Sequence, residues 1–288
     1  MTALQQLLAH FQTEYFEPAA APYLPCLSEL DDCIVGHFAG MELHSHFQPL
    51  LHSQGLQIQA YEALLRPRLP GQAQFQSPLA AFAQAHNAQQ ASYLDRLCRV
   101  LHALNFERQL PRQHPTQLLF LNVSTQHLQA VSQHYGETFE RLLQLCGLRP
   151  QQVVLEITES QIDDLTRLQT AVAQWHARGF QIALDDFGCN NSNFDRLWQI
   201  TPDIVKLDRL LVQQAAHNPR AATILPKLIE MVHDLGASVV CEGVETAIQH
   251  QLCQDAGADL VQGYFYARPA AQLLSTTMSM EIADLLEA

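Results

Sequence analysis

Val153-Val154-Leu155-Glu156-Ile157-Thr158-Glu159 and its echo Gln181-Ile182-Ala183-Leu184-Asp185-Asp186-Phe187-Gly188 decide the reading of the fold. Each is a short apolar run that ends in carboxylates. The run is too short for a typical helix and rich in β-branched and aliphatic residues, so it reads as a strand buried on both faces. The acids then stand where the strand emerges. Acids at several strand ends build a polar site at one rim of a barrel or an open α/β sheet.

The theme recurs in both directions along the chain. Residues 43–52 and 58–65 read as adjacent strands joined near Gly55, a hairpin-like entry whose second strand carries Glu62 and leads to Arg66. Residues 118–124 read as a strand ending in Asn122-Val123-Ser124, and residues 204–207 as one carrying Lys206 ahead of Asp208. Residues 238–241 run into Glu242-Gly243-Val244-Glu245, and residues 260–265 hold Gln262 and Gly263. Helical patterns fill the gaps at 78–109, 125–146, 161–178, a short stretch to Gln199, 219–235 and 246–256. In the first of these, Phe82, Tyr93, Leu94, Leu97 and Leu101 are the expected core positions.

The strand-end polar residues Glu62, Asn122, Glu156, Asp185, Lys206, Glu242 and Gln262 follow one another at gaps of 60, 34, 29, 21, 36 and 20 residues. After the first gap these fit one strand–helix unit each, since such a crossover unit takes ~30 residues. Strands alternating with helices imply a parallel sheet, and about eight strands over ~250 residues point to a closed barrel. No sequence repeat is visible. Residues 1–40 read as a helix, with Leu4, Leu7, Leu8 and Phe11 at helical spacing, followed by a Pro/Ala-rich linker; residues 41–288 read as the barrel domain.

Composition narrows the function. Of 288 residues, 48% are apolar, enough for a sizeable core, and the net charge is −13. That charge argues against bulk nucleic acid and anionic membrane, which need a basic face. Cys26, Cys33, Cys98, Cys146, Cys189, Cys241 and Cys253 are scattered without a CxxC pair, as expected of reduced thiols in a cytoplasm. Cys26 and Cys33, seven apart, are a weak metal or disulfide pair. No apolar run reaches the ~18 residues of a membrane span, and a signal peptide is not indicated.

Glu62, Asn122, Glu156, Asp185, Asp186 and Glu242 are hard oxygen donors. Gathered without a cation they would repel one another and take up protons; with Mg²⁺ or Mn²⁺ they become a ligand set. Two such ions about 3.5–4 Å apart can activate a water for in-line attack on a phosphodiester. The adjacent Asp185 and Asp186 suit a bridging carboxylate, and Lys206 would add positive charge near the water or phosphate. Taken singly, each residue has a plainer role: a strand-end acid is usually a helix cap, and a lysine or arginine a surface group. The seven-part pattern carries the argument.

Glu62-Ala63-Leu64-Leu65-Arg66 resembles the signature of EAL domains, the phosphodiesterases of cyclic di-GMP. So do Asn122, Glu156-Ile157-Thr158-Glu159, Asp185-Asp186-Phe187-Gly188, Lys206-Leu207-Asp208, Glu242-Gly243-Val244-Glu245-Thr246, Gln262-Gly263-Tyr264-Phe265 and Arg268-Pro269, in order. The resemblance implies a TIM-like (β/α)8 barrel with one strand antiparallel, a homodimer, and hydrolysis of cyclic di-GMP to linear pGpG with two Mg²⁺ or Mn²⁺ ions. It puts metal ligation on Glu62, Asn122, Glu156, Asp185, Asp186 and Glu242. It gives Lys206 the orientation of water with Asp208 nearby, and Glu159 the bracing of the loop after Asp186. Gln48 resembles the guanine contact and Arg66, after Leu65, the phosphate contact; Glu245 and Gln262 line the same mouth.

One stretch departs from the family. Where the family continues Thr-Gly-Tyr-Ser-Ser, this chain has Cys189-Asn190-Asn191-Ser192-Asn193. Asn tolerates left-handed turns, so the turn can survive, but the lost Thr and Tyr weaken the expected bracing by Glu159. Slow turnover unless assembly orders the loop is one expectation; a redox role for Cys189 is another. The rival to hydrolysis is a non-hydrolytic cyclic di-GMP receptor or adaptor, against which the complete ligand set speaks. A third reading is a barrel hydrolase of another phosphodiester.

Overall fold

The structure is a computed structural model that describes residues 3–14, 26–110, 116–124, 135–158, 165–188 and 194–274. Strands β3 (Met41–His52), β4 (Ile58–Arg68), β5 (Leu118–Val123), β6 (Val153–Thr158), β7 (Gln181–Phe187), β8 (Ile204–Leu207), β9 (Ser238–Cys241) and β10 (Leu260–Val261) close into a barrel. Around the ring β4 to β10 pair in parallel in chain order, and β3 closes the gap antiparallel to both β4 and β10. The (β/α)8 barrel with one reversed strand is thus the fold. Helices α3 (Ala88–Gln109), α4 (Tyr135–Leu145), α5 (Leu165–Arg178), α6 (Asp195–Ile200), α7 (Arg209–His217), α8 (Pro219–Asp234) and α9 (Ala247–Asp255) connect the strands, after the short α2 (Pro78–Phe82). Helix α1 (Ala3–Glu14) packs beside α4 with Leu7 fully buried.

Strand alternation builds the interior in two layers. Leu50, Ala60, Phe120, Val154, Ala183, Ile204, Val240 and Leu260 form one apolar cluster inside the barrel. Each stands two residues from a polar residue on the same strand face: Gln48, Glu62, Asn122, Glu156, Asp185, Lys206, Glu242 and Gln262. The apolar layer plugs the barrel, and the polar layer lies above it at the C-terminal ends of the parallel strands. Residues of the other parity, such as Leu119, Leu121, Leu155, Ile182, Leu184 and Val205, face the helices in the main core. This is why the strands read as continuous apolar runs. Filling the plug matters: truncating a buried Phe such as Phe120 to Ala costs about 3–5 kcal/mol.

Several sequence readings change. The expected linker contains an antiparallel hairpin, β1 (Leu27–Leu30) and β2 (Cys33–Phe38), that extends the edge of β3. The expected helix over 78–109 is two helices, because the Asn87 side chain accepts the Gln90 N–H and caps α3 afresh. Helix α7 was not foreseen. The expected strand 260–265 pairs only at Leu260–Val261, since at Gly263 the chain turns hard against Val244, where any Cβ would collide with backbone. Of the expected helices, residues 125–134 and 161–164 lie outside the described residues, as does the side chain of Phe11. The six described cysteines are free thiols; Cys26 is buried and Cys33 exposed. No described helix is long and apolar enough to cross a membrane.

Candidate functional site

The polar layer converges on Lys206. Its side chain is 1% exposed, and its Nζ lies 2.5 Å from Glu156 Oε1, 2.7 Å from Glu242 Oε1, 3.2 Å from Asp185 Oδ1 and 3.4 Å from Glu62 Oε2. Gln262 donates from Nε2 to Glu62 Oε2 at 2.8 Å, and Asn122 from Nδ2 to Glu156 Oε2 at 3.1 Å. Residues in or at the ends of seven strands, β4 to β10, therefore form one connected cluster, although the first and last are 200 positions apart.

Asp185 and Asp186 are neighbours, and on a regular strand they would point to opposite faces. The ladder between β7 and β8 pairs Leu184 with Val205 and then Phe187 with Leu207, so β7 carries an extra residue. Asp186 absorbs it with φ +58°, a left-handed conformation that an Asp tolerates better than most side chains. The bulge turns both acids to one side: Asp185, Asp186 and Glu242 each offer an oxygen within 4.8 Å of the others.

Above the cluster opens a cavity of about 450 Å³, lined by Gln48, Glu62, Leu64, Asp185, Asp186, Asp208, Arg209, Glu242, Gly243, Glu245, Gln262, Gly263 and Tyr264. Gln48 donates from Nε2 to the Ala267 carbonyl, which fixes its carboxamide at the mouth. Asp208 caps α7 through the Leu210 N–H while facing the cavity. Two expected substrate contacts stand beside this cavity rather than in its lining. Leu65 lines a neighbouring cavity of about 480 Å³, together with Asn122, and the half-buried Arg66 donates to the Leu65 carbonyl. Glu159 and Cys189–Asn193 lie outside the described residues. Arg209 and Tyr264 border the main cavity without having been singled out. A basic residue directly after Asp208 was the available signal for Arg209.

The electrostatics are unbalanced. Four carboxylates face one ammonium, with Glu156 and Lys206 both sealed from solvent. Burial alone would lower the Lys206 pKa, but Asp185, Glu156, Glu242 and Glu62 outweigh it and hold the ammonium charged. Burial, then Glu62, pushes the Glu156 carboxyl well up, with Lys206 opposing. Burial also pushes Glu242 up to about 8 against the pull of Lys206. Asp186 still reaches solvent, yet loss of hydration, then Asp185 and Asp208, raises it to about 6. Glu156 Oε1 and Asp185 Oδ1 are buried, and both lean on the one Lys206 ammonium that they share with Glu62 and Glu242. One ammonium shared among four carboxylates leaves the cluster short of positive charge. A divalent cation with oxygen preference fits the donor set of acids and one carboxamide.

Fold and site together define a TIM-like barrel with an acid-lined pocket at the C-terminal rim of its parallel strands. Comparison with known proteins gives the family. The chain belongs to the EAL domain family, whose model matches residues 35–269. Over 130 residues, 45% of this chain, it is 36% identical to a probable cyclic di-GMP phosphodiesterase of Escherichia coli, PdeA, covering 18% of that protein. Over 146 residues, 48% of this chain, it is 34% identical to the cyclic di-GMP phosphodiesterase RocR of Pseudomonas aeruginosa, covering 36% of it. The chain thus spans well under half the length of these curated relatives. Among solved structures it resembles Klebsiella pneumoniae BlrP1 in a calcium and cyclic di-GMP complex. That likeness has 27% identity and a TM-score of 0.70, over 79% of this chain and 56% of that one. A manganese and cyclic di-GMP complex of the same protein matches at 26% identity and a TM-score of 0.69, over 92% of this chain and 66% of that one.

Proposed function

We propose that this chain hydrolyses one phosphodiester bond of cyclic di-GMP to give linear pGpG, with two Mg²⁺ or Mn²⁺ ions. The observation that carries the reading is the charge imbalance at Lys206: four acids around one buried ammonium. Family membership and the cyclic di-GMP complexes of the Klebsiella relative support the choice of substrate. Glu62, Asn122, Glu156, Asp185, Asp186 and Glu242 would hold the metal. Bound there, paired cations supply a hydroxide-like nucleophile at neutral pH and neutralise charge on the phosphate.

The chain's own groups do the rest. Lys206 holds the acids together and presents an ammonium to the attacking water or the phosphate oxygens. Gln262 pins Glu62 in place through its amide N–H. Asp208 stands beside the cavity on a rigid helix cap. Gln48 and Glu245 at the mouth offer hydrogen-bonding groups to a guanine edge, and Arg66 with Leu65 takes the flanking phosphate and base. The same reading makes the chain a cytoplasmic homodimer whose barrel domain takes in the β1–β2 hairpin.

The test is incubation of the purified chain with cyclic di-GMP and Mg²⁺ or Mn²⁺, beside Glu62→Ala. The reading expects pGpG with the parent alone. Tight binding without product in either metal would replace the hydrolase by a receptor.

A further inference from the structure

A second buried ion pair lies outside the cluster, within α3. Arg99 Nη2 meets Asp95 Oδ2 at 2.6 Å, one helical turn apart, with side-chain exposures of 1% and 7%. The Arg99 guanidinium sits 4.6 Å above the Phe139 ring of α4. Sealing two charges inside a core is costly, and an apolar pair of similar volume would serve stability as well or better. The other carboxylate oxygen of Asp95 shows what the pair does. Asp95 Oδ1 accepts the Ser124 N–H at 3.3 Å. The β5–β6 ladder ends at Val123, paired with Ile157, so Ser124 is the first residue past it. Asp95 therefore continues the anchoring of β5 one residue beyond the sheet, two positions from Asn122. Asn122 in turn gives its Nδ2 to Glu156, which leaves its Oδ1 as the atom offered to a ligand.

We propose that the Asp95–Arg99 pair is a positioning element for the metal site: Arg99, clamped over Phe139, holds Asp95, and Asp95 holds the end of β5 so that Asn122 presents its carboxamide oxygen. The inference rests on the reading of Asn122 as a metal ligand. Outer residues that orient a metal ligand typically govern about 10–100-fold of metal affinity.

The experiment is Mn²⁺ titration by calorimetry, without substrate, of the full chain and two variants, beside thermal unfolding in chelator. Asp95→Leu/Arg99→Met replaces the pair by apolar groups. Ser124→Pro removes the N–H that Asp95 accepts while leaving the Asp95–Arg99 pair in place, and fixes φ at 124. The double variant is expected to melt no lower than the parent yet to bind Mn²⁺ about 10–100-fold more weakly, and Ser124→Pro to weaken binding in the same direction. Parent-like Mn²⁺ affinity in Ser124→Pro, or in a folded double variant, would reduce the pair to a packing feature and overturn the inference. A parent that takes up no Mn²⁺ would instead sink the reading of the ligand set, and the inference with it.

Discussion

At the N-terminal rim of the barrel, Asp203 Oδ2 accepts the Ile182 N–H at 2.7 Å and lies 2.9 Å from His176 Nε2. Asp259 Oδ2 repeats the arrangement with the Val239 N–H at 2.7 Å and His233 Nε2 at 2.8 Å. At the opposite rim, the buried Glu156 Oε1 and Asp185 Oδ1 share one lysine with two further acids. The residue types are the same. The N-terminal acids are supplied with donors by the adjacent strand and helix, so they tie the barrel shut. The C-terminal acids crowd around one shared ammonium, so they carry more negative charge than their own donors offset, which is the imbalance the proposed metal would relieve.

That contrast is easiest to break by neutralising one acid at each end. Glu156→Gln is expected to lower turnover of cyclic di-GMP by about 100–1000-fold, the usual loss when one electrostatic element of a site is removed. In chelator the same change is expected to raise the melting temperature, because it relieves repulsion among like charges. A Glu156→Gln chain that melts lower in chelator would show that the cluster is a structural ion-pair network after all. Asp259→Ala is the mirror experiment. It is expected to cost about 1.5–3 kcal/mol of stability, the scale of hydrogen bonds to a charged group, while Mn²⁺ affinity stays at the parent's value.

A smaller effect sharpens the contrast through pH. Glu242 and Asp186 are raised to about 8 and about 6, burial being the leading cause in both. Between the ordinary carboxylate range and these values the folded chain binds more protons than the unfolded one. Its stability in chelator should therefore fall as pH rises from about 5 to about 8. Mn²⁺ needs the deprotonated acids, so its affinity should climb over the same window, by at most about tenfold per unit for each proton displaced. Isotherms at pH 6 and pH 9 that coincide would contradict both halves.

The sequence reveals the strands and their end residues because a parallel barrel strand is buried on both faces. Val153 to Ile157 is then uninterrupted except where Glu156 enters the polar layer. Other features stay hidden until the chain is folded. Asp186 reaches the cavity only through a bulge and a left-handed φ, which nothing in an adjacent pair of acids announces. Lys206 alone reads as a surface lysine; its central place follows from four strands arriving at one height. The spacing from His176 through Gly179 to Ile182 recurs from His233 through Gly236 to Val239, yet it means nothing without Asp203 and Asp259. Asp95 and Arg99 look like the solvent face of an amphipathic helix, and only burial against Phe139 and Ser124 shows otherwise. Arg66 is not in the lining of the main cavity, but it stands near enough to feel the charges of Glu62 and Tyr264, which are.

The most direct test of the account is a crystal of this chain soaked in Mn²⁺ at pH 8 and measured for anomalous scattering. The account predicts two Mn²⁺ peaks bounded by Glu62, Asn122, Glu156, Asp185, Asp186 and Glu242, with Lys206 beside them. Mn²⁺ density only at surface acids, with Lys206 still the sole cation among those side chains, would contradict it.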